Sequence, residues 1–118
     1  MKMLHSLVVA CALGAGVACG SDDPATMSDT DCSSPPRYGD VAAFKKCTMC
    51  HASSLQDAAR HQAPPQINFD TYTAADSVAS EAMQQVSEGR MPPPASGIKL
   101  TDSEKQQLYE WVQCGSMP

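Results

Sequence analysis

Three stretches of the chain repeat apolar residues at helical spacing, and the segments between them do not. Val41, Phe44 and Cys47 recur along one face of a stretch from Val41 to Cys50, with Asp40 placed to cap its start. From about Ala52 to Asp70 the periodicity fails and Pro64-Pro65 interrupts it, which predicts a loop. Periodicity returns over Thr73 to Glu88, where Val78, Ala82 and Val86 are spaced by four and Ala75, Ala79 and Met83 lie beside them. Thr73 with Asp76 is a candidate cap pair for this helix, and Gly89 stands where a left-handed residue ends one. Met91-Pro92-Pro93-Pro94 lacks the amides that a helix needs and must run extended. The last helix opens on a capping-box pattern, Thr101 with Glu104, and runs to about Gln113. Leu108, Trp111 and Val112 form its apolar stripe, and Gly115 stops it. No strand-like alternation of useful length and no internal repeat is present. The pattern predicts an all-α domain.

The N-terminus follows a different logic. Lys2 precedes an uncharged run, Ser6 to Ala18, that is too short to span a bilayer and has the size of a signal-peptide core. The run ends in Gly16-Val17-Ala18-Cys19, which resembles a bacterial lipobox with Gly in place of the usual Leu. That resemblance implies diacylation of Cys19; the alternative is simple signal cleavage after Ala18. Gly20 to Arg37 is rich in Ser, Asp, Pro and Thr without apolar periodicity and reads as a flexible tether. The expected organisation is therefore a signal peptide over 1–18, a lipidated tether over 19–37 and a folded domain over 38–118. The expected location is outside the cytoplasm, lipid-anchored in a periplasm or on a cell surface. By the same lipobox resemblance, Gly20 rather than Asp after the Cys implies an outer membrane in a two-membrane cell.

Composition narrows the partners and poses a packing problem. The 13 acidic residues outnumber the 8 basic ones, a net charge of −5, and losing Lys2 with the signal leaves 7 basic residues and −6. No basic stripe exists to meet phosphates, so nucleic acid is not an expected partner. Aromatics make up only 5% of the 118 residues, too few to fill a sizeable core unaided. A domain of this size with that content needs a covalent staple or a cofactor at its centre.

The six cysteines supply both candidates. Cys47-Thr48-Met49-Cys50-His51 is a Cys-x-x-Cys-His pentad. Two thiols three residues apart on a helical turn face the same way and can add to the two vinyl groups of one haem. His51 then turns its imidazole to the iron as an axial ligand. A thioredoxin-like redox pair would need a βαβ context that the pattern lacks, and a zinc site would need further Cys or His ligands at matching spacing. The haem also answers the packing problem, because a large apolar ring can serve as the centre of a small core.

The opposite face of the iron calls for a second ligand or stays open. Met91 is the leading candidate, because a thioether is soft and neutral and the prolines behind it stiffen the segment. His61, ten residues past His51, is the alternative ligand. With Cys11 removed, Cys19 lipidated and Cys47 and Cys50 on haem, Cys32 and Cys114 remain for one disulfide, or else as two free thiols.

Taken together, these segments resemble a single-haem class I-type cytochrome c in its small bacterial lipoprotein form. The resemblance covers about Tyr38 to Pro118. It rests on the pentad, on Gly89-Arg90-Met91-Pro92-Pro93 and on Leu100-Thr101 through Trp111-Val112-Gln113-Cys114-Gly115. It implies a helical domain wrapped around one haem c, with the first and last helices packed across one another. It also implies an electron carrier rather than an enzyme, membrane-tethered and exchanging electrons with redox partner proteins. Two other functions compete. One is a haem protein whose sixth site is open or exchangeable, for ligand sensing or peroxidase-like chemistry. The other is a bis-histidine relay subunit of a larger complex.

Overall fold

The computed structural model describes residues 30–118. The signal peptide over 1–18, Cys19 and most of the tether lie outside the described residues. Among those described, the regular structure is wholly helical, with no strand. The α-helices are α1 (Ala43–Cys47), α2 (Tyr72–Ser77), α3 (Ala79–Ser87) and α4 (Asp102–Gln113), with three short 3₁₀ turns at Tyr38–Asp40, Asp57–Arg60 and Pro94–Ser96.

The first helix is shorter than the Val41–Cys50 span that periodicity predicts. Asp40 does not cap it: its carboxylate accepts from the Arg37 amide at 3.1 Å within the preceding 3₁₀ turn. The amide of Ala42, at the helix start, donates instead to the Gln107 side chain of α4, at 3.2 Å. A tertiary partner thus does what a local cap was expected to do.

The expected helix over Thr73–Glu88 is two helices broken at Val78, whose φ of −123° and ψ of 13° leave the helical region. Ser77 Oγ donates back to the Ala74 carbonyl at 2.7 Å, a local bond of the kind that bends helices. The start is capped by Thr71, not Thr73: the Thr71 hydroxyl accepts from the Ala74 amide at 3.3 Å. The end behaves as read. Gly89 takes φ +69°, its amide bonds to Val86 O at 3.1 Å, and the next amide, Arg90, bonds to Gln85 O at 2.9 Å. This is a Schellman stop. The capping box of α4 is also in place, with Thr101 accepting from the Glu104 amide and Glu104 accepting from the Thr101 amide.

α4 packs against both α1 and α3. Trp111 and Leu108 are fully buried at the centre, joined by Val41, Phe44, Phe69, Val86 and Leu100. Phe44 meets Trp111 edge-on at 5.1 Å and stacks on Phe69 at 5.5 Å. Met83, read as a core-face residue, is only half-buried and stays outside the buried cluster. The C-terminal tail closes the structure: Met117 O accepts from Trp111 Nε1 at 2.7 Å and from the Tyr38 amide at 2.9 Å. Cys32 and Cys114 are at disulfide distance, their Cα atoms 5.4 Å apart across 82 residues.

Candidate functional site

Short turns carry the pentad out of α1. The amides of Cys50 and His51 both bond to Cys47 O, at 3.2 and 2.9 Å. This tight reversal sets the two thiols and the imidazole on one local scaffold. Cys47 and Cys50 are both half-buried and neither is oxidised to a disulfide.

The long loop after the pentad is tied back to it. Its far end returns where the Phe69 amide donates to His51 O at 2.8 Å. Ser53 adds a second tie, its amide and hydroxyl both donating to the Asp70 carboxylate. Inside this loop His51 Nδ1 lies 3.1 Å from Ile67 O. A carbonyl can only accept, so Nδ1 carries the proton and Nε2 keeps its lone pair for a ligand. The ring also meets Phe69 edge-on at 5.6 Å, which fixes its plane. Burial depresses the His51 pKa, opposed by the bond to Ile67 O and aided by the Arg60 charge. The imidazole is thus held neutral, as a metal ligand must be.

Cys47 is driven the other way, its thiol pushed up to about 11 chiefly by burial. A redox-active Cys-x-x-Cys needs a lowered thiol pKa, so Cys47 lacks that signature. Among the described residues no three His, Cys, Asp or Glu side chains are grouped so that they could hold a metal ion.

All five candidate side chains around the expected cofactor line one cavity: Cys47, Cys50, His51, Met91 and His61. Its volume is about 820 Å³, within the roughly 300–1,000 Å³ typical of small-molecule and cofactor sites. Phe44, Phe69, Val78, Val86, Leu100 and Leu108 supply apolar wall. Every helix but α2 contributes a residue to this lining. The cavity is thus walled by residues of α1, α3 and α4 beside the buried core.

Met91 and His61 reach it differently. Met91 follows the Schellman stop directly, and its amide shares Gln85 O with that of Arg90, at 3.1 Å. It is half-buried and packs against the core. His61 is exposed and sits in the left-handed region at φ +48°, beside Gln62 at φ +69°. Cys32 and Cys114 line no part of the cavity. Cys19 lies outside the described residues.

Two positions carry more than sequence reading assigned them. Ile67 provides the acceptor for His51, through a backbone atom that no side-chain pattern reveals. Arg60 is 5% exposed and buried in the loop that closes over the pentad. One signal was present: Arg60 is the single Lys or Arg between Lys46 and Arg90. No family model, curated protein or solved structure matches the chain. The functional reading therefore rests on the residues themselves.

Proposed function

We propose that the protein is an electron carrier that holds one haem c in this cavity. The observation that carries the reading is convergence. Two unpaired thiols, an imidazole with Nε2 free and a thioether line a single largely apolar cavity. When bound, haem supplies a one-electron couple at its iron.

The residues divide the work. Cys47 and Cys50 would each add S–H across a vinyl group, sulfur bonding one carbon and hydrogen the other, so that no atom is lost. His51 Nε2 would be the proximal ligand, its orientation held by Ile67 O and Phe69. Met91 is favoured over His61 as the distal ligand, because α3 and its stop bring Met91 half-buried to the cavity. A held sixth ligand keeps exogenous ligands out and limits rearrangement between oxidation states, which suits a carrier better than an enzyme. The apolar wall excludes water and favours the less charged, reduced iron.

On the same reading the protein works outside the cytoplasm, anchored through lipid on Cys19, and passes electrons to redox partner proteins. Cys19→Ser should release it from a detergent phase into the aqueous one.

The deciding experiment is acid-acetone extraction of protein made in a host with a haem-attachment system, followed by intact mass. Haem retained on the protein and a mass gain of one whole haem support the proposal. Haem in the organic layer defeats it. Carbon monoxide added to the reduced protein then separates the functions: an unchanged spectrum fits the carrier, and a shifted one gives the ligand-binding function precedence.

A further inference from the structure

Arg60 is a buried cation satisfied entirely by neutral acceptors. A guanidinium has five N–H donors, and each has a partner. Nε donates to Ala63 O at 3.1 Å. One terminal nitrogen donates to Ala52 O at 2.7 Å and to Asn68 Oδ1 at 3.0 Å. The other donates to Pro64 O at 2.6 Å and to Ile67 O at 3.0 Å. Among the described residues no carboxylate reaches ion-pair distance of it, though the Asp70 carboxyl lies near enough to be stabilised by its charge. Desolvating a charge is expensive, but no neutral side chain carries the five donors that these acceptors take up. The fork ties the loop, and it also places a full positive charge against the carbonyl that holds His51.

The last of those contacts suggests a role for that charge. Ile67 O is also the acceptor of His51 Nδ1–H, at 3.1 Å. One carbonyl oxygen thus serves two donors, one of them a full cation. Its electron density is drawn toward the guanidinium, which leaves it a weaker acceptor for the imidazole. A weaker bond at Nδ1 leaves the imidazole less anionic in character and a poorer donor through Nε2. The fixed positive charge, in a buried setting of low dielectric, also disfavours added positive charge nearby. Both effects act in the same direction.

We propose that Arg60 is a positioning residue for His51: bonded to the carbonyl that holds Nδ1, its charge raises the reduction potential of the haem bound in the cavity. This rests on the haem-carrier reading and deepens it. Hydrogen bonding around the ligand and local burial are established levers on haem potential. Arg60 would act through the first of these, at Ile67 O, and through its charge.

Two substitutions separate charge from scaffolding. Arg60→Gln keeps amide donors for the loop carbonyls and removes the charge. Arg60→Lys keeps a charge and loses the planar fork. The full chain is prepared with haem attached, and midpoint potentials are read at about pH 6, where lysine is ordinarily protonated. Arg60→Gln should shift the reduction equilibrium about tenfold toward the oxidised form, about 59 mV for one electron. Arg60→Lys should stay within about threefold of the parent while melting at a lower temperature. The potential then follows the charge and the stability follows the fork. A potential unchanged in Arg60→Gln, or lowered equally in both variants, overturns the proposal. Should Arg60→Gln yield no haem-loaded protein, the parent alone decides through the His51 Nδ1 proton in the reduced, diamagnetic state. A weakly bonded ring N–H supports the proposal, and a strongly downfield, imidazolate-like proton overturns it. Failure of haem to attach to the parent defeats the underlying reading instead, and shows before any potential is measured.

Discussion

Lys46 on α1 and Glu104 on α4 meet at 2.7 Å, one residue before the first thiol of the pentad. The same Glu104 oxygen accepts from the Thr101 amide, so a single carboxylate closes the cap of α4 and clamps α1 to it. Lys46 also donates to Lys99 O at 2.7 Å, which draws in the segment leading to α4.

These bonds hold the Glu104 pKa below the usual carboxylate value, the Lys46 hydrogen bond contributing most. A carboxylate depressed in the folded state contributes stability that is complete above its unfolded pKa, about 4.3. That contribution fades as pH falls through the lowered folded value. Glu104→Gln keeps the cap geometry and loses the ion pair. It should cost up to about 1 kcal/mol at neutral pH and show a shallower loss of stability on acidification. Urea unfolding between neutral pH and pH 3 checks this; parallel stability curves for the two proteins would refute it.

The proposed ligation of haem by Met91 can be tested more sharply. Met91→Ala should retain covalent haem, since the thioether bonds do not depend on the distal ligand. It should gain carbon monoxide and imidazole binding and lose potential if water or nitrogen replaces sulfur. His61→Ala should leave spectrum and potential unchanged. The reverse pattern would make His61 the ligand and the protein a bis-histidine carrier of lower potential. Absorption spectra and redox titration of the two variants decide between them.

Closing a loop of this size between Cys32 and Cys114 should contribute about 4 kcal/mol in the chain-entropy model. Cys32→Ser with Cys114→Ser should lower the unfolding free energy by about that much, with haem attachment intact because neither residue lines the cavity. Chemical unfolding of the double variant checks the magnitude. An equal midpoint with and without reductant in the parent would show that no bridge forms.

The sequence was legible where structure is local and partly silent where it is not. The capping box of Thr101 and Glu104 and the left-handed Gly89 follow from neighbouring residues, and both stand as read. Asp40 and Thr73 are plausible caps by the same local rule. Arg37 claimed the first, and Thr71, two residues earlier, displaced the second. At the break a serine hydroxyl bonds a helix carbonyl just before Val78, a feature that apolar periodicity does not register. The candidate ligands of the cavity were visible as residue types. What holds His51 was not, because Ile67 acts through its backbone and Arg60 gains meaning only when the loop folds over it.

The pairing of Cys32 with Cys114 has a mechanical consequence. Without it, tension on the upstream segment would fall first on the 3₁₀ turn at Tyr38–Asp40 and peel it from the C-terminal tail. With it, the load enters at Cys114, just past the end of α4. From there it passes along a twelve-residue helix whose Trp111 and Leu108 are anchored in the core. The leading edge of the domain is bypassed. On the tethered reading, a pull from upstream is therefore taken up by α4 and the core around Trp111 rather than by the Tyr38–Asp40 turn.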